Sequence, residues 1–300
     1  MGEEITSQDT LSGGVRKYLS LVKFSHTIFA MPFAMIGFTM GVVKAGSFEL
    51  YKLILVILCM VFARSAAMAF NRYLDRDIDA INPRTKEREI PAGAISEKSA
   101  FWFVVFNCLL FVGTTFFINK LCFYLSPVAL IVILGYSYTK RFTALCHYVL
   151  GVGLGLAPVG AYLAVTATFE WIPVIIGFTV LTWVAGFDII YSLQDDQFDQ
   201  ENNLHSIPAM VGRKNALIIS TISHLLSGVG LLTTLYLMRT SFPEISWIGY
   251  IGGGIFLFML LYQHLIISSD NLKRVNLAFM TTNGIASVVF GSLIIIDFFV

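Results

Sequence analysis

Leu53-Ile-Leu-Val-Ile-Leu-Cys-Met-Val-Phe-Ala-Arg64-Ser-Ala-Ala-Met-Ala-Phe-Asn71-Arg-Tyr-Leu-Asp75-Arg-Asp-Ile-Asp79 begins as an unbroken apolar run and ends in a regularly spaced polar set. At 1.5 Å per residue, about 20 apolar residues cross the hydrocarbon core of a bilayer. The first part therefore reads as a membrane-spanning helix. At about 100° per residue, Arg64, Asn71, Asp75 and Asp79 fall within an arc of roughly 100°, so one face of a continuous helix carries all four. Asp77 points to the opposite side and reads as a solvated charge.

Working outward, comparable runs recur at 24–43, 99–118, 121–138, 144–165, 171–192, 215–238, 245–267 and 275–299, which with 53–70 makes nine. Of the 300 residues, 56% are hydrophobic and only 13% charged, where soluble domains carry about a quarter charged. The expected fold is all-α: a polytopic transmembrane bundle of about nine helices. The longest polar connections, roughly 72–98 and 193–214, are too short to bury a core of their own. Residues 1–20 read as a polar N-terminal segment, followed by a single transmembrane domain over 21–300. The run at 24–43 has no small-residue cleavage signal behind it and is expected to be retained.

The formal net charge of +1 says little, but the placement of the cations says more. Fifteen of the 20 Lys and Arg fall on the N-terminus and the loops after spans 2, 4, 6 and 8. The opposite side receives Lys44, Lys52, Lys120 and Arg239. The positive-inside rule then puts the N-terminus and the 72–98 and 193–214 loops in the cytoplasm. The four cysteines, Cys59, Cys108, Cys122 and Cys146, lie in or beside apolar runs without CxxC spacing and read as packing residues. The histidines form no HExxH motif, there is no GxxxxGK[ST] loop, and no basic stretch suggests nucleic acid. Gly151, Gly153 and Gly155 read as helix-packing positions.

Span 6 repeats the logic of span 2. It runs into Asp188-Ile-Ile-Tyr191-Ser-Leu-Gln-Asp195-Asp196-Gln-Phe-Asp199, whose spacings place Asp188, Asp195 and Asp199 on a shared helical face. Asp195 and Asp199 follow Asp75 and Asp79 by 120 residues, and Ile90-Pro91-Ala92 is echoed by Ile207-Pro208-Ala209. This pattern suggests two pseudo-repeated four-helix units plus a ninth helix.

Carboxylates at i, i+4 repel each other and call for a cation. Two such pairs converging across a bundle offer oxygen ligands suited to Mg²⁺, which bridges carboxylates to substrate phosphates. A single DxxxD at a helix end is commonly just solvated, whereas two pairs with Asn71 favour a site. Proton or cation transport is the alternative from a different class, because transporters also place carboxylates at repeat interfaces. The 72–98 loop adds Arg72, Arg76, Arg84, Lys86 and Arg88, and Tyr136-Ser-Tyr-Thr-Lys140-Arg141 follows span 4. Such cations suit a diphosphate. Arg64, well inside an apolar span, requires a partner, expected to be anionic.

Asn71-x-x-x-Asp75-x-x-x-Asp79, the later Asp195-x-x-x-Asp199, the intervening Tyr136-x-x-x-Lys140 and nine spans together resemble the UbiA superfamily of membrane aromatic prenyltransferases over essentially the whole chain. Arg64 and the stretch from Asn82-Pro83-Arg84-Thr85 to Arg88-x-x-Pro91-x-Gly93 look most like the 4-hydroxybenzoate polyprenyltransferase branch. The resemblance implies Mg²⁺ held by Asn71, Asp75, Asp79, Asp195 and Asp199, a polyprenyl diphosphate donor and an aromatic acceptor. It further implies substrate contacts from Arg64, Asn71, Arg72, Arg88, Tyr136 and Lys140, with Asp188 orienting the acceptor or taking its proton. Heme O and chlorophyll synthases share the superfamily pattern and compete on acceptor identity. The compact DxxDGxxAR motif of CDP-alcohol phosphotransferases is absent. Two positions depart from the family's pattern: Arg72 stands where many relatives have Asp, and His205 where a basic residue is common.

Overall fold

The computed structural model describes residues 17–22 and 29–300. Most of the polar 1–20 segment, and the start of the first expected span, lie outside the described residues. Among the described residues the regular structure is helical, with no strand beyond an isolated bridge between Ser268 and Asn271. In order the helices are α1 (Met31–Ala45), α2 (Leu50–Leu74), α3 (Arg76–Ile81), α4 (Glu97–Ile118), α5 (Lys120–Thr139), α6 (Cys146–Thr166), α7 (Trp171–Ser192), α8 (Asp196–Glu201), α9 (Ile207–Ser241), α10 (Ile248–Ile266) and α11 (Asn283–Asp297). A π-helical turn, Leu277–Thr282, leads into α11. Eight of these segments are long and apolar enough to cross a membrane, and the shorter apolar α1 makes the ninth.

Local chemistry sets the boundaries. Ser96 accepts from Ser99 N at 3.1 Å to cap α4, and Asn119 accepts from Cys122 N at 2.8 Å to cap α5. Both satisfy amides that a helix start leaves unpaired. Asn119 also donates to Leu163 O at 2.8 Å, tying that turn to the end of α6. Helix α9 starts at Ile207, not at 215 as the apolar run suggested, behind a Ser206 cap. Its first turn is set off from the long apolar part by Gly212, whose φ of 77° and ψ of 163° only glycine adopts readily.

Helix α7 is the centre of the bundle, packed between α6 and α9, with α1 on α6, α2 on α4, and α10 on α11. Its Trp183, Phe187 and Val180 join Phe33, Phe256 and Phe290 in the main core. The expected glycine packing is seen between α6 and α7. A β-carbon at Gly151 would stand 2.4 Å from Leu181 O, and one at Gly155 would stand 2.5 Å from Gly177 O, so only glycine permits this backbone approach. Gly153 faces away, toward Ile133 of α5.

The two aspartate helices are not continuous. Helix α2 stops at Leu74 and α7 at Ser192, and each is followed after a break by a six-residue helix, α3 and α8, that begins beyond the first aspartate of its pair. Asp75 and Asp195 have similar backbone angles, φ −89° and ψ 4° against φ −111° and ψ 5°. The repeated break is a structural echo of the 120-residue repeat in sequence.

Candidate active site

The first break is slight. Asp75 N still donates to Asn71 O at 2.9 Å and Asp79 N to Asp75 O at 2.7 Å, so Asn71, Asp75 and Asp79 keep the common direction that the spacing predicts. At the second, Asp195 N instead reaches Ser192 O at 3.0 Å, a tighter three-residue turn. That turn re-aims α8, so Asp188, Asp195 and Asp199 do not share one continuous helical face.

The two loops meet. Arg84 from the first loop donates to Asp195 in the second through Nε at 2.8 Å and Nη2 at 2.5 Å, and Asn82 Nδ2 lies 3.4 Å from the same carboxylate. Arg84 also bonds the Tyr191 hydroxyl at 3.3 Å. Lys140, after α5, reaches Asp75 at 2.6 Å, and His205 N donates to Lys140 O at 2.7 Å. Loops after α2, α5 and α7 thus assemble at one end of the bundle. Lys44, paired with Glu170 at 3.5 Å, and the Asn119 turn mark the other end.

Asp79 accepts two bonds from Arg88 Nη1, each of 2.9 Å. Asn71 donates to Asp75 at 3.1 Å. Burial raises the Asp75 carboxyl above the usual range, against the opposing pull of Lys140. Burial also raises Asp199, which a Ser206 hydrogen bond partly offsets. Burial works against the Arg84 charge, but its bonds to Asp195 outweigh this and hold the guanidinium above its ordinary value.

Two expectations change. Arg72 is buried and bonded to Glu89 at 2.5 Å, and it makes no ion pair with the clustered aspartates, because it projects about 100° around the helix from Asn71. Arg64 has no hydrogen bond or ion pair among the described residues, and its buried Nε has no partner. The anion expected beside it is therefore not supplied by the described chain. His205, which stands where the family commonly has a basic residue, is exposed and contributes its backbone to the Lys140 turn. Asp77 is solvated as predicted, with 83% of its side chain exposed.

Arg64 and Tyr136 stand at the head of an apolar chamber of about 350 Å³ walled by α2, α4, α5 and α6. Its lining on α5 runs from Cys122 to Tyr136, about 21 Å at 1.5 Å per residue. One end is thus cationic and close to the aspartate loops, and the rest is greasy.

Among the described residues no three acidic, His or Cys side chains gather into a self-sufficient metal cage. The loops offer one or two carboxylates each, and Asp75 Oδ1 is buried without a hydrogen-bond donor, Arg141 being 3.6 Å away. This donor set fits Mg²⁺, which keeps several waters and uses one or two carboxylates alongside phosphate oxygens. Two contributors escaped the sequence reading. Asn82 carries no signal of its own beyond the Asn82-Pro83-Arg84-Thr85 stretch, yet its side chain both accepts from Arg84 N at 2.9 Å and approaches Asp195. His147 on α6 bonds Asp188 at 2.7 Å. No periodicity marks that pair.

Residues 30–285 match the UbiA prenyltransferase family. The chain belongs to that family. This UbiA-family protein is 28% identical over 249 residues to the 4-hydroxybenzoate octaprenyltransferase of Yersinia pseudotuberculosis serotype IB, spanning 81% of this chain and 82% of the relative. Among solved structures, the apo form of a UbiA homologue from Aeropyrum pernix K1 superposes with a TM-score of 0.80 at 30% identity, covering 91% of this chain and 98% of that one. A UbiA homologue from Archaeoglobus fulgidus, bound to GPP and Mg²⁺, shares the fold with a TM-score of 0.73 at 20% identity, covering 95% of this chain and all of that one. The UbiA-family protein is accordingly a multi-pass membrane prenyltransferase.

Proposed function

We propose that this enzyme transfers a polyprenyl group from a polyprenyl diphosphate to the ring of an aromatic acid, 4-hydroxybenzoate or a close relative, and releases diphosphate. The observation that carries the reading is the junction of the two aspartate loops, at Arg84 and Asp195, close to the cationic head of a long apolar chamber. The donor's charged end suits the loops and its tail suits the chamber. The Archaeoglobus homologue with GPP and Mg²⁺, and relatives named 4-hydroxybenzoate octaprenyltransferase, support the same assignment.

Asn71, Asp75, Asp79, Asp195 and Asp199 would hold Mg²⁺, which when bound neutralises charge on the departing diphosphate. Lys140, Arg84 and Arg88 sit on these carboxylates and donate to phosphate oxygens. The allylic C–O bond breaks with its electron pair leaving on diphosphate. The ring carbon ortho to the acceptor hydroxyl supplies the pair for the new C–C bond, and the proton on that carbon passes to Asp188. Tyr136 lines the chamber head, where an aromatic face would stabilise the developing cation. Arg64, which has no anionic partner among the described residues, pairs with the acceptor carboxylate, which favours an aromatic acid over the acceptors of heme O or chlorophyll synthases. We read residues 21–300 as one transmembrane domain, with the aspartate loops on the cytoplasmic side.

Purified protein in lipid is given geranyl diphosphate, Mg²⁺ and a panel of phenolic acids. The expected result is diphosphate release and a prenylated arene, both lost in Asp199→Ala and on chelation. Ion flux without product would overturn the reading in favour of transport.

A further inference from the structure

His147 lies at the start of α6, and only 2% of it is exposed. Its Nδ1 is 2.7 Å from Asp188 Oδ2 on α7. Its Nε2 faces the backbone amide of Ile207, the first residue of α9, at 3.3 Å. An amide N–H can only donate, so Nε2 presents its lone pair and the ring proton sits on Nδ1, where it is donated to Asp188. Both ring nitrogens are thereby engaged within the chain. His147 has no free nitrogen for a ligand or a proton of the substrate, and its one chemical effect is on the carboxylate it holds.

Asp188 is the more open partner, with 23% of its side chain exposed against 3% for His147. The Tyr136 hydroxyl, on the chamber lining, is within electrostatic reach of both Asp188 and Arg64. Ile207, the other anchor, follows Ser206, which caps α9, and it closes the loop that carries Asp195 and Asp199. The ring therefore joins the acceptor-side carboxylate to the segment that carries the second aspartate pair. Cys146, its neighbour, reinforces the same junction through Sγ to His205 O at 3.5 Å.

We propose that His147 is a positioning residue for prenyl transfer, holding Asp188 in the direction from which it takes the acceptor proton. The proposal rests on the reading of Asp188 given above. A ring that served only to pack α6 against α7 would affect stability and leave the chemical step alone. One that orients a base affects turnover, and misplacement of a reacting group by about 1 Å lowers rates by about 100-fold.

The test compares His147→Phe, which keeps a ring without the N–H, with His147→Asn, which restores a donor near the position of Nδ1. Each is also combined with Asp188→Asn, and all are assayed in lipid with geranyl diphosphate, Mg²⁺ and 4-hydroxybenzoate. His147→Phe is expected to lower kcat by about 10- to 100-fold with the KM for geranyl diphosphate unchanged, His147→Asn to recover most of it, and the Phe variant to add nothing in the Asp188→Asn background. Should His147→Phe fail to insert, His147→Gln, which reaches the Ile207 amide without reaching Asp188, tests the same loss. Wild-type turnover in the Phe or Gln variant, or losses that multiply in the double variant, would overturn the proposal alone. Absence of product from the wild-type protein would overturn the prenyl-transfer reading together with it.

Discussion

Replacing Lys140 by Met removes the closest cation from Asp75, a carboxylate with 1% of its side chain exposed. Breaking a buried pair from one side costs about 3–5 kcal/mol, because the remaining charge is left without compensation. Here Asn71 still donates at 3.1 Å and Arg141 stands 3.6 Å away, and the already raised Asp75 carboxyl takes up a proton more readily. The expected loss is therefore below that range, about 2–3 kcal/mol. Adding Asp75→Asn removes the stranded charge, so the double variant should be more stable than Lys140→Met. The four free cysteines, all partly buried, provide the readout, since a thiol-reactive fluorophore reports their exposure as the protein unfolds on heating in detergent. A Lys140→Met variant that unfolds with the wild type, or a double variant no more stable than the single, would refute this account of the pair.

Arg64→Leu should raise the KM for a carboxylated acceptor by about 10- to 100-fold, the worth of a charge-assisted hydrogen bond, while an acceptor without the carboxylate is hardly affected; steady-state kinetics on both acceptors decide. Gly160 lines the chamber, and a β-carbon there meets nothing within 4 Å, at a point about 20 Å along α6 from His147. Gly160→Phe should spare geranyl transfer and slow transfer from longer donors, as measured by competition between donors of different length. Asp297, 1% exposed, accepts from Ser246 N at 3.0 Å, Gly249 N at 2.8 Å and the Ser246 hydroxyl at the start of α10. Asp297→Ala strands these donors and should destabilise the protein by at least about 2 kcal/mol, seen as a lower unfolding temperature.

Much of this arrangement is legible before folding. Apolar runs of bilayer length mark all nine helices, and Asp75, Asp79, Asp195 and Asp199 stand out because charge at the end of such runs is expensive. What periodicity does not carry is a departure from its own period. The turn at Asp195 alters the direction of everything after it, and nothing in Ser192-Leu-Gln-Asp195 announces a three-residue hydrogen bond. Pairing between distant segments is likewise hidden. Arg84 and Asp195 are 111 residues apart, and His147 meets Asp188 across 41 residues from the next helix. Arg72 illustrates the converse, a cation of the right type in the right loop whose angular position hands it to Glu89.

Helix α6 separates two mechanical regimes. On one side Gly151 and Gly155 set it backbone to backbone against α7, most of which is buried in protein. On the other it walls the chamber opposite α5, little of which is buried. The glycine-packed wall cannot yield without a steric clash, so the compliance needed to admit a tail falls to the opposite wall, where α5 packs least against the protein and exposes Tyr124, Val128 and Ile131. Acyl-chain order in the surrounding bilayer thereby becomes part of the enzyme's elasticity, and a fluid membrane and a gel-phase one present it with different chambers.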